Sequence, residues 1–209
     1  EDAADRFRAL SITALAKLKH FPEARALWGA RLAHIAAFVA EEERKRLGEW
    51  APLLTEGKAE ASLAHATLRA RIDRIDRNAA GALEVIDYKT GRPPTARQVH
   101  SLLEPQLALE AALVRLGGLD VPPDTAIAAL TYIAIGSGQV PVKWHPVSSD
   151  TEPYTADSLA ARAMEEFRAL MEHYRDPATG YLSRARVTSE RDVSGDYDHL
   201  ARTAEWQSG

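Results

Sequence analysis

Asp73, Asp87 and Lys89 are the residues of this 209-residue chain whose types and spacing could do hydrolytic chemistry. They lie in Arg71–Arg92, RIDRIDRNAAGALEVIDYKTGR, two carboxylate-bearing segments around a glycine turn. Strand side chains alternate between faces, so Leu83, Val85, Asp87 and Lys89 share one face of an otherwise apolar run. Leu68–Asp73 reads as a second strand, and Asn78-Ala79-Ala80-Gly81 supplies the turn that folds it back. A turn near Ala80 sets Asp73 opposite Asp87, and two carboxylates and an ammonium then converge. That is a layout for holding a hard divalent cation against a phosphate. Asp73 and Asp87, with the backbone carbonyl of Tyr88, would supply oxygen ligands for Mg2+, with Mn2+ the alternative. Lys89, a compact point charge, would orient an attacking water or stabilise charge developing on phosphorus. The competing reading is a surface ion-pair triad, worth under about 1 kcal/mol.

The elements that must position these residues follow from pattern. Residues 4–47 are predicted helical, broken at Phe21-Pro22-Glu23, with Trp28, Leu32, Ile35, Ala36 and Val39 at helical spacing. Trp50–Glu56 reads as a connector and Ala59–Leu63 as a strand, ahead of the 66–90 hairpin. Thr90-Gly91-Arg92-Pro93-Pro94 is a stop. An amphipathic helix is predicted over Ala96–Leu116, starting or kinking at Pro105 and ending at Gly117-Gly118. Ala126–Ile135 and Gln139–Trp144 read as strands around Gly136-Ser137-Gly138. A helix over Thr155–Tyr174 is capped by Thr155 or Asp157, and 176–209 is an extended tail with a short segment near 197–206. This order predicts an α/β fold, a mixed β-sheet flanked by helices, in a single domain over 1–209.

Composition narrows the class. Hydrophobic residues make up 45% and charged residues 27%, which describes a soluble globular chain. No apolar run approaches the roughly 20 residues of a membrane span, and no basic-then-apolar leader is present, so the expectation is cytoplasmic with no membrane partner. With no cysteine, the chain holds no thiolate zinc and no iron–sulfur cluster. A net charge of −4 argues against indiscriminate nucleic-acid binding. Locally, however, Arg69, Arg71, Arg74, Arg77, Lys89, Arg92 and Arg97 are expected to crowd around the carboxylates. They would either meet a phosphate backbone or merely solvate the hairpin. There is no G-x-x-x-x-G-K-[ST], so an ATP-driven motor would lie elsewhere.

The pattern ID-x₃…G-x-L-x-V-IDYKTG-x-x-P resembles the RecB-like nucleases of the PD-(D/E)XK class, most closely the C-terminal nuclease domain of the AddB family. The doublet ARIDRID, EPQLALEAAL at 104–113 followed by Gly117-Gly118, and DYDHLARTAEW at 196–206 resemble its alphaproteobacterial form. The resemblance runs from about Trp28 to Trp206. It implies a restriction-endonuclease-like core in which Asp73, Asp87 and Lys89 are catalytic and Asp73 and Asp87 hold metal. Gln106 matches the glutamine of the family's Q-x-x-x-Y motif, whose helix faces the site, but Glu110 occupies the tyrosine position. Read without the family, Gln106 is an ordinary polar residue at a helix start. The family's remaining ligand, a histidine in an upstream R-G-x-x-x-H helix, has no counterpart string. The resemblance thus implies a fragment of a longer protein lacking that helix, with weak cleavage on its own.

Function is expected among three alternatives. The first is a metal-dependent DNA exonuclease module of an AddAB-type helicase–nuclease in recombinational double-strand break repair, partnered by an AddA-type subunit. The second is an inactive DNA-guiding module of the same fold, and the third a stand-alone RecB-like exonuclease. Asp76 is expected on the face opposite Asp73, paired with Arg74 or Arg77. Glu60 is a weaker acidic candidate. His20, His34, His65, His100, His145, His173 and His199 lack metal-ligand spacing and read as surface or capping residues.

Overall fold

The structure, a computed structural model, describes residues 3–136 and 138–180. The chain divides into two units, Glu1–Glu165 and Glu166–Gly209. In the first, α1 (Ala3–Leu15), a 3-10 turn (Ala16–Leu18) and α2 (Pro22–Arg46) precede three antiparallel strands, β1 (Trp50–Ser62), β2 (Thr67–Asn78) and β3 (Leu83–Thr90). Two helices, α3 (Ala96–His100) and α4 (Gln106–Arg115), carry the crossover to β4 (Ile127–Ile135), which runs parallel to β3. An antiparallel β5 (Val142–Pro146) completes a five-stranded sheet in the order β1-β2-β3-β4-β5. The α/β mixed sheet flanked by helices expected from the element order is present.

Several element boundaries differ from expectation, β5 among them, which is Val142–Pro146 and not Gln139–Trp144. The connector assigned to Trp50–Glu56 is part of one long edge strand, whose ladder with β2 shifts between Pro52 and Leu54. An edge tolerates that proline because its missing N–H is not needed by a second neighbour. The helical stretch expected over Ala96–Leu116, with a start or kink at Pro105, is two helices, the second starting directly after Pro105. Thr95 and Gln98 form a capping box on α3, and Pro105 occupies the N-cap position of α4. The tail expected from residue 176 opens with a turn, Thr179 N–H donating to Asp176 O at 2.9 Å, and residues 181–209 lie outside those described. Thr155, not Asp157, caps α5 (Ala156–His173), accepting from Ser158 N–H at 3.2 Å.

The turn at 78–82 sets the hairpin register. Asn78 Oδ1 accepts from the amides of Ala80 and Ala82, and Gly81 takes φ of 86°. A residue with a Cβ would be strained there. The resulting ladder pairs Arg77 with Leu83 and Arg74 with Ile86.

Both sheet faces are covered over Leu83–Asp87, so five successive positions of β3 are buried rather than every second one, Glu84 and Asp87 included. On one face, Ile35 of α2 packs with Ile86, Ile133 and Val142, joined by Leu32, Phe38, Val39 and Trp144. Each such fully buried aliphatic contributes about 1.5–3 kcal/mol relative to exposure. The other face carries Val85, Leu83 and Tyr132 and lies under α4, whose Leu107, Ala111 and Val114 are fully or almost fully buried. After α4, Gly118 approaches β1 so closely that an added Cβ would meet Glu60 O at 2.9 Å. Among the described residues no helix is long and apolar enough to cross a membrane.

Candidate active site

The ladder of β2 and β3 ends at Arg74 and Ile86, and one further step sets Asp73 beside Asp87. Tyr88 N–H donates to Asp73 Oδ2 at 3.0 Å, which ties the two strand ends together through the carboxylate. Asp87 is 5% exposed. Its Oδ1 accepts from Gln106 Nε2 at 2.6 Å, and Lys89 Nζ lies 2.9 Å from its Oδ2. That ion pair is close but off the hydrogen-bonding direction, so Oδ2 is buried with no directed donor. Lys89 directs its hydrogen bond to Gln106 Oε1, at 2.9 Å.

Pro105 ahead of α4 delivers Gln106 as the first helical residue, where its side chain reaches back to β3. Its amide is fully used: the oxygen faces an ammonium and both N–H groups face carboxylates. The reverse orientation would set oxygen against carboxylate and N–H against ammonium, so electrostatics choose one rotamer. One turn later, Glu110 Oε1 accepts the second amide proton at 3.1 Å.

Glu110 was legible only as a departure from the Q-x-x-x-Y pattern, and its chemistry was missed. It is 5% exposed, and its Oε2 is buried without a partner. Burial pushes its carboxyl up to about 7, aided by the charges of Asp87 and Asp73 and opposed by the Gln106 bond and Lys89. The only sequence signal was an acid one helical turn after Gln106. Tyr132 was also missed. It pairs with Asp87 across the parallel β3–β4 ladder, its ring centroid lies 5.5 Å from Lys89 Nζ, and its hydroxyl is buried without a partner. Burial, then the charges of Asp87, Glu104 and Glu110, raise its phenol above the ordinary range.

The cluster of basic residues expected around the carboxylates is largely dispersed. Arg74, 6% exposed, points to the opposite face of β2, where it forms paired hydrogen bonds with Asp76 and with Glu43 of α2. Burial opposes its charge, but the bonds to Glu43, Asp76 and Tyr88 prevail and raise its pKa. Asp76 sits with Arg74 on that face, paired also with Arg46, which in turn pairs with Glu84 and stacks 4.1 Å from the Trp144 ring centroid. Arg69 pairs with Glu60 and Arg71 with Glu56, so Glu60 serves as a counter-ion there. Arg77, Arg92 and Arg97 make no ion pair among the described residues.

The donor set suits a hard cation. Asp73, Asp87 and the Tyr88 carbonyl offer only oxygen, and the undirected Asp87 Oδ2 lacks the hydrogen bond a buried carboxylate oxygen normally has. Among the described residues no three His, Cys, Asp or Glu side chains are assembled to hold a metal ion by themselves. Mg2+ commonly needs no such cage, because water and substrate phosphate complete its shell around one or two carboxylates.

Residues 1–187 match the family model described as the PD-(D/E)XK nuclease superfamily. A solved structure titled "Crystal structure of SSO0001" is similar at 17% identity over 76% of this chain and 74% of that one, with a TM-score of 0.32. No curated protein sequence matches.

Proposed function

Because the chain belongs to the PD-(D/E)XK nuclease superfamily, we propose that it is a metal-dependent DNA exonuclease module whose site is Asp73, Asp87, Lys89 and Gln106. The observation that carries this reading is the single bonded cluster of Gln106, Asp87 and Lys89 beside Asp73, built from two strands and a helix. A hairpin that only solvated itself would not need Gln106, Asp87 and Lys89 held at 2.6–2.9 Å around a buried carboxylate oxygen that lacks a directed hydrogen bond.

Asp73, Asp87 and the Tyr88 carbonyl would hold a divalent cation, Mg2+ or Mn2+. Bound there, it supplies Lewis-acid polarisation of a phosphoryl oxygen and activation of water. The chain's own residues do the rest. Tyr88 N–H fixes the rotamer of Asp73. Gln106 occupies Asp87 Oδ1 and so leaves Oδ2 as the oxygen that would ligate the cation. Lys89, steadied by the Gln106 oxygen, brings a positive charge to the attacking water and to the charge that develops on phosphorus.

The resemblance supports placing this module in an AddAB-type helicase–nuclease that acts in double-strand break repair by recombination, with an AddA-type subunit as partner. A second reading, a DNA-guiding domain without cleavage, is favoured by the absence of an assembled metal trio among the described residues. Linear duplex and single-stranded DNA incubated with the protein and Mg2+ or Mn2+, alone and with an AddA-type partner, separates the two. Metal-dependent release of nucleotides that Asp87→Ala abolishes supports the exonuclease. Binding without release under every metal supports the guiding domain.

A further inference from the structure

A second feature shares the sheet face of the carboxylates. A pocket of about 220 Å³ is lined by Arg92, Pro93, Pro94, Thr95, His145 and Val147, among others. Register explains how it comes to lie there. Asp87 pairs with Tyr132, and Tyr132 with His145, so these three side chains project from the same face of adjacent strands. Strands lie about 4.8 Å apart, which puts His145 on the order of 10 Å from Asp87. Arg92 follows Lys89 by three residues, again on the order of 10 Å of extended chain.

The pocket is preformed. Its first wall, 92–96, is fixed by two prolines and by the capping box in which Thr95 and Gln98 exchange hydrogen bonds. Its second wall, 145–147, is tied to α3 by His100 Nε2, 2.8 Å from Val147 O. Arg162 in turn donates to His100 O at 3.2 Å. Inside this frame Arg92 is exposed and has no carboxylate partner among the described residues, whereas Arg69 and Arg71 are both paired. An exposed guanidinium without a carboxylate partner in the lining suits an anion, and prolines with an imidazole suit a flat ring. A space of about 220 Å³ admits a group of the size of one base or sugar.

We infer that this pocket is a nucleotide subsite: it takes one unpaired base of a DNA strand against His145 and the prolines, with the adjoining phosphate on Arg92. The inference rests on reading the neighbouring site as one that handles a nucleic-acid strand. At about 3.4 Å of rise per stacked nucleotide, the separation corresponds to roughly three nucleotides from the carboxylates, and fewer for an extended strand. Stacking of this kind tolerates any base, because every base has a π-face.

The test uses the 209-residue protein and a 5-iododeoxyuridine-substituted single-stranded oligonucleotide, photo-cross-linked in EDTA so that no cleavage is required. The expected result is a cross-linked peptide containing His145, lost in His145→Ala, and roughly tenfold weaker oligonucleotide binding by anisotropy in Arg92→Glu with a shallower salt slope. Cross-links confined to other segments, unchanged affinity in Arg92→Glu, or no binding of the oligonucleotide at all would overturn the subsite. If the cross-link forms but DNA is never cleaved under any metal, the exonuclease reading fails and the subsite stands. If DNA is cleaved and His145 never cross-links, the reverse holds.

Discussion

Gln106 Nε2 donates to Asp87 Oδ1 at 2.6 Å and joins the first residue of α4 to the middle of the sheet. Because Gln106 Oε1 also accepts from Lys89, one amide sets the positions of both a carboxylate and an ammonium. Hydrogen bonds to charged groups are worth about 1.5–3 kcal/mol. Gln106→Ala is therefore expected to lower kcat at least about tenfold with DNA affinity little changed, measured in single-turnover cleavage by the partnered protein. A KM effect with unaltered kcat would show that Gln106 binds DNA instead of ordering the site.

Lys89→Ala removes a charge and leaves in place both carboxylates proposed to hold the metal, Asp73 and Asp87. Loss of one preorganised electrostatic group predicts a fall in the chemical step of about a hundredfold or more. Asp87→Ala should be more complete, because it opens the coordination shell itself. Both variants should still bind DNA with salt-sensitive affinity. Cleavage at the parental rate by both would reduce the cluster to a solvated set of ion pairs and end the nuclease reading.

Glu110 makes a metal-free prediction about stability. Its carboxyl sits at about 7 in the folded protein against an ordinary 4.5. Below pH 4.5 both folded and unfolded chains hold the proton and nothing is lost. As pH rises, the unfolded chain releases its proton first, so stability falls until the folded form also ionises near pH 7 and then levels. The total is on the order of 3 kcal/mol. Urea unfolding in EDTA from pH 4 to 8 should show that fall in the parent and not in Glu110→Gln. Parallel pH profiles for the two proteins would remove Glu110 as the cause.

Arg74 belongs to stability. It neutralises Asp76, which is fully buried, and Glu43 of α2, on the face away from the site. Arg74→Ala leaves the buried Asp76 with Arg46 as its remaining partner and should cost about 3 kcal/mol, the lower end for breaking a buried pair, in equilibrium unfolding. Arg69→Ala, which breaks an exposed pair with Glu60, should cost under about 1 kcal/mol. Equal losses in the two variants would contradict the burial argument.

Local rules made part of this molecule readable. Alternation along β3 puts Asp87 and Lys89 on one face, and the Asn78–Gly81 turn sets the register that brings Asp73 beside Asp87; both depend on residues within twenty positions of each other. Helix limits at Pro22 and Gly117 follow equally from backbone sterics. What lies across the sheet could not be read this way. A parallel ladder has no turn to set its register, so Tyr132 reached Asp87, and His145 reached the same face, only through tertiary pairing. The same holds for charge. Seven basic residues near a hairpin look alike in sequence, but packing of α2 against the back of the sheet buried Arg74 with Glu43 and Asp76, while an exposed edge gave Arg69 and Arg71 their own partners. Glu110 shows the limit most plainly. Its residue type is written in the chain, but its proton affinity comes from the water that α4 excludes and from carboxylates that another part of the chain supplies.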